Sequence, residues 1–133
     1  MFACIEQEKE IYLNTRKIGT DKETLAAEYL TARGMRITER NFRCRQGEVD
    51  IVGYHGGYLV FVEVKYRRTA EKGTALEAVD IRKQRQICRT ADYYRYLHHC
   101  GENTPVRYDV LAIQGEEICW IQNAFLHVFS RGR

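Results

Sequence analysis

The sequence predicts an α/β fold: one helix, a meander of three antiparallel strands, a second helix and two further strands, forming a mixed central sheet flanked by helices. Three observations predict it. His55-Gly56-Gly57-Tyr58 separates two strand-like runs, and paired glycines tolerate the positive φ that a two-residue hairpin turn requires. Leu59-Val60-Phe61-Val62 is apolar at consecutive positions, as in a strand covered on both faces. Helical periodicity before and after these strands supplies the covering layers, and a helical crossover allows a parallel strand pair.

The elements follow in order. Residues 1–18 are expected to form an arm or a short helix ahead of a single domain spanning 19–133. Thr20 and Asp21 open the first helix, Ala26, Ala27, Tyr29 and Leu30 supply its apolar positions, and Gly34 closes it. Thr20 and Glu23 also have the spacing of a capping box. Met35–Cys44 reads as a first strand rich in arginine. Glu48–Tyr54 and Tyr58–Arg67 are the two arms of the glycine hairpin. Thr74, with Glu77 as box partner, is expected to cap a long helix through Leu76, Val79, Ile87, Ala91, Tyr94 and Leu97. Pro105 precedes a strand at Val106–Ile113, and Gln114-Gly115 turns into a last strand at Glu117–Ile121. No repeat or low-complexity tract interrupts this order.

Composition narrows the class. A chain of 133 residues, 44% hydrophobic and 29% charged, is one ordinary domain rather than a disordered or fibrous protein. Apolar runs such as Leu59–Val62 are far too short to cross a bilayer. Glu6, Glu8 and Glu10 follow a very short apolar stretch, unlike a secretory signal, so a cytoplasmic protein without a membrane partner is expected. The cysteines at 4, 44, 88, 100 and 119 are scattered without a CxxC spacing, which argues for reduced structural thiols over a disulfide framework or a zinc site. His98-His99-Cys100 lacks a second cluster to complete a metal tract.

The net charge of +3 says little, but its distribution says more. Arg33, Arg36, Arg40, Arg43 and Arg45 stand against Glu39 alone. Arg82, Lys83, Arg85, Arg89 and Arg95 stand against Asp92, with Lys65, Arg67, Arg68 and Lys72 between the two groups. Clustered cations match the footprint of a phosphate-backbone binder, although a solvated basic face explains them equally well. Tyr93, Tyr94 and Tyr96 offer rings for base stacking. Helical spacing favours Tyr94 as core and the other two as amphipathic surface.

The turn at Gly56-Gly57 fixes the hairpin register. His55 then faces Tyr58, Tyr54 faces Leu59, Val52 faces Phe61, and Asp50 faces Glu63. On the other face Ile51 lies opposite Val62, and Val49 opposite Val64. Asp50 and Glu63 are thereby expected on one face with Cβ atoms roughly 5 Å apart, an unfavourable arrangement unless a positive charge joins them. Alternation puts Lys65 on that face too. A Mg²⁺ or Mn²⁺ ion is the stronger counter-charge, with the Val64 carbonyl as a further oxygen ligand. Metal polarisation of a phosphodiester, with Lys65 orienting or deprotonating water, would give hydrolysis. The plainer alternative is a structural network in which Lys65 and an arginine neutralise the carboxylates, or in which Glu48 pairs with Lys65.

Asp50 and Glu63-Val64-Lys65 on adjacent strands after an acidic helix resemble the PD-(D/E)XK, or restriction-endonuclease-like, superfamily. Further matches are Ala26-Ala27-Glu28-Tyr29-Leu30, Arg40-Asn41-Phe42-Arg43, Gly47-Glu48-Val49-Asp50-Ile51-Val52, Leu59–Arg67, Tyr108-Asp109-Val110 and Asn123-Ala124-Phe125. Together they resemble the YraN family of bacterial proteins over nearly all of 19–125. That family is similar in its core to archaeal Holliday-junction resolvases. The resemblance implies a restriction-endonuclease-like fold and a metal-dependent endonuclease acting on DNA rather than RNA, with branched or structured DNA as substrate. A non-catalytic nucleic-acid-binding module retaining the fold is the alternative. It further implies Asp50, Glu63 and Glu23 as metal-site residues, Lys65 as the catalytic lysine and Lys83 as a phosphate contact. Arg40, Arg43, Arg45, Arg67 and Arg85 would add to the DNA surface. Lys22 departs from the glycine usual before the helix acid, and Glu23 keeps its capping box as a second reading. Because junction resolvases act as dimers, a homodimer is also expected.

Overall fold

The computed structural model describes residues 22–67 and 79–129, together with the strand backbone at 9–11. Its elements are β1 (Lys9–Ile11), α1 (Lys22–Ala32), β2 (Arg36–Cys44), β3 (Gly47–His55), β4 (Tyr58–Arg67), α2 (Ile81–Leu97), β5 (Val106–Gln114) and β6 (Glu117–Phe125). The strands form one sheet in the order β1-β6-β5-β4-β3-β2. Strands β2, β3 and β4 make the antiparallel meander, β4 and β5 are parallel across the α2 crossover, and β5 and β6 are antiparallel. This is the α/β arrangement expected from the sequence, a mixed sheet with helices on its faces.

The glycine hairpin forms as its chemistry dictates. Gly56 and Gly57 take φ of 59° and 86°, and His55 pairs with Tyr58, Tyr54 with Leu59, Val52 with Phe61 and Ile51 with Val62. Each face of the sheet is covered. On one side Ile87, Cys88, Ala91 and Tyr94 of α2 pack against Val52, Leu59, Phe61, Tyr108 and Val110. On the other, Ala26, Tyr29 and Leu30 of α1 pack against Ile51, Val60, Val62, Leu111 and Ile113. Double coverage explains the uninterrupted apolar run in β4, whose residues Leu59 to Val62 are all buried.

Several boundaries differ from expectation. Helix α2 begins at Ile81, capped by Asp80, whose side chain accepts a 2.9 Å bond from the Lys83 amide. Thr74, Leu76 and Glu77, and the Thr20 half of the first capping box, lie outside the described residues. The final strand runs to Phe125 instead of stopping at Ile121. A register shift between Tyr108 and Val110 of β5 and a φ of 55° at Asn123 absorb the polar Gln122-Asn123 pair. Ala124 and Phe125 are then buried again. The N-terminal segment adds β1, which pairs with β6, where an arm or short helix was expected. Cys44, Cys88 and Cys100 are free thiols as expected. Cys119 is disulfide-bonded, against the expectation of reduced thiols throughout, and its partner lies outside the described residues.

Candidate active site at a strand fork

The β3–β4 ladder ends at Ile51–Val62. Beyond it β3 continues along β2, pairing Val49 with Phe42 and Glu48 with Arg43. Strand β4 continues along β5, pairing Glu63 with Val110 and Lys65 with Ala112. The two strands therefore part company at Asp50 and Glu63. In an unbroken ladder the Val64 amide would meet the carbonyl of Val49. Here it donates instead to Asp50 Oδ2 at 2.8 Å. The Asp50 side chain thus satisfies a backbone donor that the fork would otherwise strand.

Glu63 is buried, at 6% exposure. Its Oε2 lies 3.7 Å from Lys65 Nζ and 3.9 Å from Lys83 Nζ. Burial, and then the Asp50 carboxylate, push the Glu63 carboxyl up to about 7, while Lys83 and Lys65 pull in the opposite direction. Asp50 is likewise raised, first by burial and then by Glu23 and Glu48, against the Val64 hydrogen bond and Lys83. Glu23, in the first turn of α1, is near enough to act on Asp50. Its Oε1 accepts a 2.9 Å bond from Asn41 Nδ2 of β2.

The donor set fits a hard divalent cation. Asp50, Glu63 and the Val64 carbonyl supply oxygen ligands of the type Mg²⁺ and Mn²⁺ prefer, and such ions commonly use one or two carboxylates and complete their shell with water and phosphate. No group of three or more His, Cys, Asp or Glu side chains converges tightly enough to hold an ion alone among the described residues.

The remaining candidates divide between the fork and its surroundings. Lys83, expected as a phosphate contact on the helix, sits at Glu63 itself. Arg40 is exposed on β2, and its Nη2 donates to Thr24 Oγ1 at 3.1 Å. Arg43 is exposed and pairs with Glu48 at 3.5 Å. The proposed Glu48–Lys65 pair is absent: the fork carries Lys65 along β5 to Glu63 and leaves Glu48 beside β2. Arg45 is exposed at the β2–β3 turn and Arg85 on α2. Arg67 belongs to the end of β4, and its side chain is not described. The sequence reading missed Asn41, which has a φ of 56°. An asparagine inside a strand run, tolerant of left-handed backbone, was the available signal.

Residues 22–113 match the Uncharacterised protein family UPF0102. The chain belongs to that family, which is the YraN family of the sequence resemblance. A UPF0102 protein of Lachnoclostridium phytofermentans is 52% identical, over 85% of this chain and 96% of the relative. UPF0102 proteins of Stutzerimonas stutzeri and Methylococcus capsulatus are 43% and 46% identical, each over 80% of this chain and over 92% and 88% of the relative. Among solved structures, a repair endonuclease from Pyrococcus abyssi aligns with a TM-score of 0.44 and 24% identity, over 76% of this chain. The chain spans 41% of that larger protein. No helix among the described residues of this UPF0102 protein is long and apolar enough to cross a membrane.

Proposed function

We propose that this UPF0102 protein is a metal-dependent endonuclease acting on DNA, with branched or otherwise structured DNA as its substrate class. The observation that carries the proposal is the fork. It holds Asp50 beside the buried Glu63 carboxylate, with Lys65 and Lys83 both within 4 Å of Glu63. The Val64 amide accounts for Asp50 as a folding device, but it gives no reason to bury the Glu63 carboxylate beside it.

Asp50, Glu63 and the Val64 carbonyl would hold a Mg²⁺ or Mn²⁺ ion, with Glu23 at the margin. A bound ion would supply Lewis-acid polarisation of the phosphodiester and of water. Lys65 orients the attacking water beside the scissile phosphate. Lys83 neutralises charge on the phosphate, and Arg40, Arg43, Arg45, Arg67 and Arg85 hold the backbone in register. Symmetric cuts in a junction would require a homodimer, since each chain carries one fork.

Cleavage of branched, flapped and single-stranded DNA in Mg²⁺ and in Mn²⁺ is the test. The parent is expected to cut, and Asp50→Ala and Lys65→Ala to lose at least about a hundredfold in rate, the range seen for loss of one electrostatic or acid–base group. No cleavage by the parent, or undiminished cleavage by both variants, would refute the enzyme reading. Salt-steep DNA binding indifferent to metal, without calorimetric Mn²⁺ binding, would then identify a non-catalytic binding module.

A further inference from the structure

Helix α2 carries a stripe from which the proposed function draws Arg85 alone. Arg82, Arg85, Arg89, Tyr93 and Tyr96 are all exposed. Their spacing of three, four, four and three residues places them on one stripe of the helix, opposite the buried Ile87, Cys88, Ala91 and Tyr94. The stripe changes character along its length: its first half, next to Lys83 and the fork, is cationic, and its second half is aromatic. Tyr93 is 39% and Tyr96 75% exposed. The two rings lie 6.2 Å apart at 32°, and the Phe42 ring lies 6.5 Å from that of Tyr93 at 30°. Asp92 stands beside the stripe, turned to Arg95 and His127 at 3.9 and 3.6 Å.

We infer that this stripe binds an unpaired DNA strand leaving the fork, with phosphates on Arg82, Arg85 and Arg89 and bases stacked on Tyr93 and Tyr96. The inference rests on the nucleic-acid reading above and specifies its substrate: DNA with a single-stranded segment. A duplex backbone would be served by cations along the whole stripe. Base faces inside a duplex are already stacked on one another, so two exposed rings offer them nothing. An unpaired strand presents both a charged backbone and free π-faces, the combination this stripe matches. At 1.5 Å per residue, Tyr93 lies about 15 Å along the helix from Lys83 and Tyr96 about 20 Å, so the stripe has room for several nucleotides of an unpaired strand.

The test is equilibrium binding in EDTA, where cleavage is silent, to a duplex with a ten-nucleotide single-stranded overhang and to the same duplex blunt. A 2-aminopurine at the fifth overhang position reports stacking. The parent is expected to bind the overhang more tightly and to quench the probe. Tyr93→Ala and Tyr96→Ala should each weaken overhang binding about tenfold or more, leave blunt-duplex binding unchanged and relieve the quench. Tyr96→Trp, at a position that carries no core packing, should restore both. Equal binding of overhang and blunt duplex by the parent, or unaltered overhang binding by both alanine variants, overturns the inference. So does a parent dimer that Tyr96→Ala dissociates in sedimentation, because the rings would then be a protein interface. Cleavage in Mg²⁺ by a parent that binds overhang and blunt duplex equally would sink this inference and spare the nuclease. A tyrosine-dependent overhang preference without cleavage would do the reverse.

Discussion

At Glu63, burial and the neighbouring Asp50 act in the same direction, holding the carboxyl near 7 against the 4.5 of the unfolded chain. Between those values the folded state binds more protons than the unfolded state, so stability falls as pH rises from about 4.5 to about 7 and stays reduced above it. Asp50, also raised, adds with the same sign. In the presence of a chelator the melting temperature should therefore decline across this window. Glu63→Gln should remove most of the decline, matching the parent at pH 5 and exceeding it at pH 8 by up to about 3 kcal/mol. A melting curve for Glu63→Gln with the parent's pH dependence would contradict this account. Lys83 matters for the same reason. It is a cation at Glu63, so its removal by Lys83→Met should lower stability at pH 8 more than at pH 5, where the acid is already neutral.

The β2–β3 turn and α2 are interlocked through Gly47. Its φ is 146°, and a Cβ built there would fall 1.8 Å from Gln86 Nε2. Gly47→Ala should cost about 1–3 kcal/mol through backbone strain alone, with more from displacing Gln86. Adding Gln86→Ala should recover the steric part and leave the strain, as chemical denaturation would show. The elements themselves were largely legible: the glycine pair fixed β3 and β4, and the register it implies holds from His55–Tyr58 to Ile51–Val62. The break after Ile51 was not legible, because alternation describes a continuing ladder and cannot show where β3 transfers its pairing to β2. The same blindness produced the Glu48–Lys65 pair that the fork rules out. Asp50, Glu63 and Lys65 were placed by local spacing, whereas Lys83 and Asn41 reach the site only through tertiary packing.

On the scale of the whole molecule, the fork opens between two well-covered layers, while a buried polar network ties together the β3–β4 hairpin, β5 and β6. Asp109 is fully buried. It accepts bonds from Arg107 Nε and Nη2 at 3.0 and 2.9 Å, Trp120 Nε1 at 2.9 Å and the Asn123 amide at 2.9 Å. Arg107 Nη2 also donates to His55 Nδ1 at 2.9 Å, and burial together with Arg107 lowers the histidine's pKa. Asp109→Asn would leave Arg107, 8% exposed, as an uncompensated charge. A loss of about 3–5 kcal/mol is expected in urea unfolding. The network joins residues between 55 and 123, too far apart in the chain for any local pattern to announce it.

The bond from Asp50 to the Val64 amide has a practical consequence for capturing a substrate complex. Truncating Asp50 to alanine discards an acid and also releases a main-chain donor beside it, so any loss of turnover would be mixed with local loosening of the sheet. An asparagine keeps a side-chain oxygen for that amide, and a methionine at Lys65 leaves it untouched. On the proposed nuclease function, inert forms intended to trap DNA would therefore be built as Asp50→Asn or Lys65→Met.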